Sequence, residues 1–319
     1  MYLELFKLHE LPFRLSPDPQ FLYLSKQHAR AKAYMESTIW FTDGFVVITG
    51  EIGAGKTTLI ETFLRELQSE VVVAQINQTQ LTPTAFLQTV LVQFGFEPYD
   101  MKKPEVLATL NEFLMEQHDS GRKVLLIVDE AQNLSEEVLE EIRMLTNLET
   151  FTEKLLQIVL VGQPELEQKL KQPQLRQLRQ RLTLRAKTHP LTLEETKAYI
   201  QQRLRIAGSN GQQIFDPEAV IAIHRYASGI PRVINLLCEH CLVSAFVDQQ
   251  KIILPAVVDG VARDFDLNDG IASAVMTVPA STSSPEKFDL VEALRSLATL
   301  ADRLREGDEP KNLPKEGKL

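Results

Sequence analysis

Cysteine is nearly absent, at 2 in 319 residues. Two cannot build a disulfide framework, which fits a reducing compartment. No apolar run approaches the roughly 20 residues a membrane span requires. Met1 to Glu10 mixes Glu, Lys and His with apolar residues and lacks the apolar centre of a signal peptide. The expectation is a cytoplasmic protein with no membrane span of its own. Basic charge is not in excess either. Lys and Arg number 34 against 43 Asp and Glu, a formal net charge of −9. That argues against a generally basic nucleic-acid binder, while leaving room for a local basic patch. No internal repeat is visible. What remains is an ordinary soluble composition, 44% hydrophobic and 24% charged, in a chain longer than one domain usually needs.

The chain is organised around Gly50-Glu51-Ile52-Gly53-Ala54-Gly55-Lys56-Thr57-Thr58, which fits G-x-x-x-x-G-K-[ST] without mismatch. Phe45 to Thr49 before it is short, apolar and β-rich. Thr58 to Leu67 after it has Leu59, Phe63 and Leu67 four residues apart, as on a helix. Strand, glycine loop and helix together make a phosphate site. Glycine tolerates the backbone angles that turn N–H groups inward, and the helix N-terminus adds partial positive charge. Lys56 is placed to reach the β- and γ-phosphates, and the Thr57 hydroxyl to ligate Mg²⁺.

Val124 to Val128 reads as a strand inside a parallel sheet and ends in Asp129-Glu130. Strand C-termini in open α/β sheets deliver side chains to the ligand side. Asp129 can hold Mg²⁺ together with Thr57, and Glu130 can polarise an attacking water as general base. Leu155 to Val161 reads as another strand, tipped by Gly162-Gln163-Pro164. Gln163 is the candidate to orient that water or touch the γ-phosphate. Val71 to Asn77 and Thr183 to Thr188 complete five strands. Between Leu175 and Lys187 lie Arg176, Arg179, Arg181 and Arg185, closed by Lys187. Three readings are open: a solvated face, an anion surface for nucleic acid, or an arginine reaching the nucleotide of a neighbouring subunit. Arg181 is the first choice for the last, Arg179 the second.

Four helices are expected at about 193–207, 217–227, 231–248 and 255–264, the first opened by a Thr192/Glu195 capping box. Ser228-Gly229-Ile230-Pro231-Arg232 joins two of them. Arg232 falls in a first helical turn, where the helix dipole disfavours a cation, so a phosphate partner is the alternative explanation. Cys238 and Cys241, in an apolar helical pattern, read as buried thiols. The expected layout is an N-terminal extension over 1–40, an α/β nucleotide-binding domain over 41–190 and a small all-helical lid over 191–267. A flexible linker over 268–287 follows, then an amphipathic helix over 288–306 and a disordered tail over 307–319. The extension either covers the nucleotide base or only packs on the core.

Phosphate loop, Asp-Glu strand, polar strand tip, arginine cluster and Gly-x-x-Arg helix occur in an order that resembles the AAA+ ATPases over about residues 40–265. By that resemblance, Gly50 to Thr57 is Walker A, Asp129-Glu130 Walker B and Gln163 sensor 1. Arg181 is the arginine finger and Arg232 sensor 2. The N-terminal pattern Phe6, Pro12-Phe13, Pro17-Asp18-Pro19 and Phe21 narrows it further. So do Val128-Asp129-Glu130-Ala131-Gln132 and Val161-Gly162-Gln163-Pro164-Glu165-Leu166. Together they resemble the ExeA/GspA-like secretion ATPases, which include pilus-biogenesis and exopolysaccharide-export relatives. The resemblance implies a P-loop NTPase fold with a five-stranded parallel sheet and a helical lid. It also implies ATP and Mg²⁺ as cofactors and a homo-oligomer, ring or filament. It points to a membrane-associated protein partner at the periphery of the inner membrane. The alternative is an ATP-gated, DNA-binding regulator like the TniB-type transposition ATPases.

Overall fold

The computed structural model describes residues 2–40, 45–67 and 70–267. In chain order the elements begin with α1 (Tyr2–Phe6), α2 (Lys26–Trp40), β1 (Phe45–Gly50), α3 (Lys56–Glu66) and β2 (Val71–Ile76). Next come α4 (Pro83–Gln93), α5 (Lys103–Asp119), β3 (Lys123–Val128), α6 (Glu136–Leu145) and β4 (Gln157–Gly162). The chain continues through α7 (Pro164–Leu170), α8 (Arg176–Arg181) and β5 (Leu184–Thr188). Four helices follow: α9 (Leu193–Ile206), α10 (Pro217–Ala227), α11 (Pro231–Val247) and α12 (Pro255–Asp264). The linker, amphipathic helix and tail expected beyond residue 267 lie outside the described residues.

The five strands form one parallel sheet in the order β2-β3-β4-β1-β5. β1 and β4 are buried along their whole length, as a sheet covered on both faces requires. Alternate residues serve opposite layers, because successive side chains on a strand point to opposite sides. Val46, Ile48, Leu125, Ile127, Val159 and Val161 pack with residues of α2 and α3. Phe45, Val47, Val124, Leu126, Val128, Ile158 and Leu160 pack with residues of α4, α5 and α6. The crossing from strand to loop to helix therefore falls at the C-terminal edge of β1, where α3 begins.

β4 starts two residues later than its apolar run suggests. The Leu155 amide donates to the Leu148 carbonyl at 3.0 Å, and Glu149 pairs antiparallel with Lys154, so Leu155 and Leu156 close a turn first. Phe151 at the tip of that turn is fully exposed.

The third core belongs to α9–α12, and the N-terminal residues share it. Tyr2, Phe6, Leu8, Phe13 and Phe21 are buried among the side chains of these helices. Polar groups fix this strap as well. Tyr2 Oη donates to the Glu239 carboxylate at 2.8 Å, and Arg203 Nε donates to the Pro12 carbonyl at 2.6 Å. Asn235 Nδ2 donates to the Arg14 carbonyl at 3.3 Å, and Gln202 Nε2 to the Leu22 carbonyl at 3.0 Å. The Arg203 guanidinium also lies over the Phe21 ring, 4.8 Å from its centroid. A buried strap with few backbone partners of its own would otherwise strand its carbonyls, which these side chains satisfy. Residues 2–21 thus join the helical core, and α2 joins the sheet. Cys238 and Cys241 are buried free thiols in α11, and burial pushes the Cys241 thiol up to about 12.

Candidate functional site

The loop between β1 and α3 bends back on itself at Gly53 (φ 74°) and Gly55 (φ 91°), both in the left-handed region that costs other residues a Cβ clash. It forms one wall of a cleft of about 380 Å³, which Lys56, Thr57, Thr58, Glu130 and Arg232 also line. The opposite wall is the strap from Arg14 to Tyr23 with Tyr199 and Asn235 of the helical part.

Lys56 is buried, and its amine donates to the Gly50 carbonyl at 2.7 Å and the Glu51 carbonyl at 3.0 Å. Burial pushes its pKa down, against the pull of the Glu130 and Asp129 carboxylates. Thr57 Oγ1 donates to Asp129 Oδ2 at 3.2 Å, and the Glu130 amide donates to Asp129 Oδ1 at 2.9 Å. Burial raises the Asp129 pKa, while the Glu130 amide and the Thr57 hydroxyl oppose the rise. A hydroxyl and a carboxylate at this spacing are hard-oxygen donors of the kind Mg²⁺ accepts, with water and phosphate completing its shell.

Glu130 itself has φ 51°, a left-handed backbone unusual for a residue with a side chain and concentrated at functional sites. Its Oε2 accepts from Gln163 Nε2 at 3.1 Å and from Gln132 Nε2 at 2.5 Å. Gln132 Oε1 in turn accepts from the Gln163 amide at 3.0 Å. Two side-chain amides therefore hold one carboxylate oxygen and leave Oε1 without a bond to either.

Arg232 approaches from α11, and its backbone N–H donates to the Gly53 carbonyl at 3.2 Å. No carboxylate lies within ion-pair distance of its guanidinium among the described residues. Lys56, Thr57, Glu130 and Arg232 thus line one cleft, with Asp129 hydrogen-bonded to Thr57 and Gln163 to Glu130. Arg181 is not among them. It is exposed at the C-terminal end of α8 and does not line the cleft. It stands near Glu149, whose carboxyl is lowered chiefly by Lys154 and slightly by Arg181.

Sequence reasoning missed Gln132, His28, Arg14, Tyr199 and Asn235. Gln132 had a local signal, a polar residue two positions beyond the acidic pair. His28, three residues after the α2 cap Ser25, reaches a loop carbonyl 26 residues away, which no local pattern encodes.

A family model described as "AAA domain" matches residues 38–170. General secretion pathway protein A of Aeromonas hydrophila is 43% identical over 248 residues, which is 77% of this chain and 45% of that protein. The chain therefore spans about half the length of the curated relative it matches. Among solved structures, Drosophila ORC bound to DNA aligns at TM-score 0.63 and 18% identity over 96% of this chain and 74% of the other. Cdc6p from Pyrobaculum aerophilum aligns at 0.57 and 17%, over 82% and 70%. The Thermotoga maritima RuvB Holliday junction branch migration motor aligns at 0.52 and 19%, over 82% and 75%. Those likenesses show the fold. With the loop, the acidic pair and the helical part in place, the chain belongs to the ExeA/GspA-like family of AAA+ ATPases.

Proposed function

We propose that this chain hydrolyses Mg-ATP as a homo-oligomer, ring or filament. Hydrolysis would drive assembly or remodelling of a secretion, pilus or exopolysaccharide-export system. The observation that carries the reading is the Thr57 hydroxyl 3.2 Å from the Asp129 carboxylate, with Glu130 next in the chain facing the cleft. Thr57 and Asp129 would hold Mg²⁺, which would supply charge neutralisation at the phosphates.

Every other step belongs to the chain's own residues. Amides of Gly53 to Thr58 bind the phosphates, and Lys56 exchanges its two loop carbonyls for phosphate oxygens. Glu130 takes the proton of the attacking water on its unengaged oxygen. Gln163 acts on that water through Glu130, whose carboxylate it orients. Arg232 reports the γ-phosphate to the helical part. The strap from Arg14 to Tyr23 covers the base. Arg181 completes the neighbour's site, a reading supported by its exposure and by its absence from the lining of its own cleft. The partner is a membrane-associated protein, met at the cytoplasmic periphery of the inner membrane. Phosphate release from ATP should depend on Mg²⁺ and disappear in Lys56→Ala. An assembled protein that releases no phosphate would contradict the reading.

A further inference from the structure

His28 lies outside the phosphate loop in sequence, on the first turn of α2, yet it is buried against that loop. Its Nε2 is 2.8 Å from the Ala54 carbonyl oxygen, and its Nδ1 is 2.7 Å from Ser25 Oγ. The Ser25 oxygen also accepts the His28 backbone N–H at 3.3 Å. A carbonyl oxygen can only accept, so Nε2 carries the proton. Burial keeps the ring neutral, so Nδ1 is a lone pair and the Ser25 hydroxyl donates to it. Donation therefore runs one way, from Ser25 through the imidazole into the loop.

The receiving residue sits between the two left-handed glycines. Gly53 and Gly55 set the direction in which the loop amides point, and Ala54 is the peptide between them. The other loop carbonyls are held differently. Those of Gly50 and Glu51 accept from Lys56, and that of Gly53 from the Arg232 backbone amide. On the nucleotide reading of this loop, Lys56 leaves its carbonyls when a triphosphate arrives. The His28 bond differs, because its donor is a single neutral N–H on a buried ring held by Ser25, not a flexible cation drawn to phosphate. α2 also packs against the sheet, so the hold comes from a rigid element.

We infer that His28 is a positioning residue for the phosphate loop. As a neutral hydrogen-bond donor oriented by Ser25, it presets Ala54 so that the neighbouring amides face the phosphates before nucleotide binds. The inference rests on the nucleotide reading of the loop.

The test uses the full chain, a fluorescent ADP as probe, and hydrogen exchange of the loop amides. His28→Ala should weaken binding about five- to tenfold, the worth of one hydrogen bond. His28→Gln, whose amide nitrogen can reach the same carbonyl, should return to within about threefold of the unaltered chain. Exchange at residues 53–57 should rise in His28→Ala and not in His28→Gln, with β3 and α11 unchanged in both. A simple packing role would not give that rescue. Equal affinity in His28→Ala, or equal loss in both variants with an unchanged loop, overturns the assignment. Should His28→Ala fail to fold, Ser25→Ala carries the test, and unchanged affinity there overturns it as well. An unaltered chain that binds no fluorescent ADP would overturn the site reading itself, and this assignment with it.

Discussion

Gln163 Nε2 lies 3.1 Å from Glu130 Oε2, across the gap between the tips of β4 and β3. The two residues are 33 positions apart and meet because β3 and β4 are adjacent parallel strands. Gln163→Ala leaves the carboxylate with Gln132 alone as an amide donor. ATP turnover should fall about 10- to 100-fold, as for other residues that orient a reactive group, with nucleotide affinity unchanged. Steady-state phosphate release beside equilibrium nucleotide binding measures both.

Arg181 and Lys56 belong to different subunits' sites if the finger works in trans. Arg181→Ala and Lys56→Ala should each be inactive alone, because every site lacks a part. Mixing them should restore activity, because some interfaces then combine an intact loop with an intact arginine. Arg181→Ala assemblies that hydrolyse ATP at the unaltered rate would remove the assignment.

Burial of the Lys56 amine gives a stability readout. ATP at about a hundred times its Kd should stabilise the folded chain by about 2.7 kcal/mol. Lys56→Ala should abolish that gain while leaving the melting temperature without nucleotide unchanged or raised, since a desolvated cation is removed. Thermal melts with and without ATP decide it.

Much of this was legible in the sequence. The loop, the acidic pair and the alternation along β1, β3 and β4 are local patterns, and local patterns fix strand and helix identity. The short helix α8 is less legible, because four arginines in thirteen residues mask the apolar pair Leu175 and Leu178, three positions apart, that packs into the core beside it. The N-terminal strap was harder still. Tyr2 meets Glu239 across 237 positions, and Arg203 meets Pro12 across 191. Aromatic residues near a chain start announce burial without naming the partner. The Gln132 bridge depends on the left-handed turn at Glu130, a conformation that glutamate propensity argues against.

Acid should destabilise the fold through imidazoles that lose solvation on folding, the buried His28 first among them. Desolvation holds the buried His28 below the ordinary 6.5, and acts in the same direction on the half-buried His224 and the more exposed His240. Between each folded pKa and 6.5 the unfolded chain binds more protons than the folded one, so unfolding free energy rises with pH in that window. Stability should therefore fall as pH drops below 6.5, and His28→Gln should flatten the slope. Urea titrations at a series of pH values check the sign.

The most direct test of the account is Glu130→Gln, a change that keeps shape and removes the proton acceptor. The account predicts ATP bound with Mg²⁺ at near-unaltered affinity and turnover lowered about 10²- to 10⁴-fold, the usual worth of a general base. Turnover that survives the substitution would contradict it.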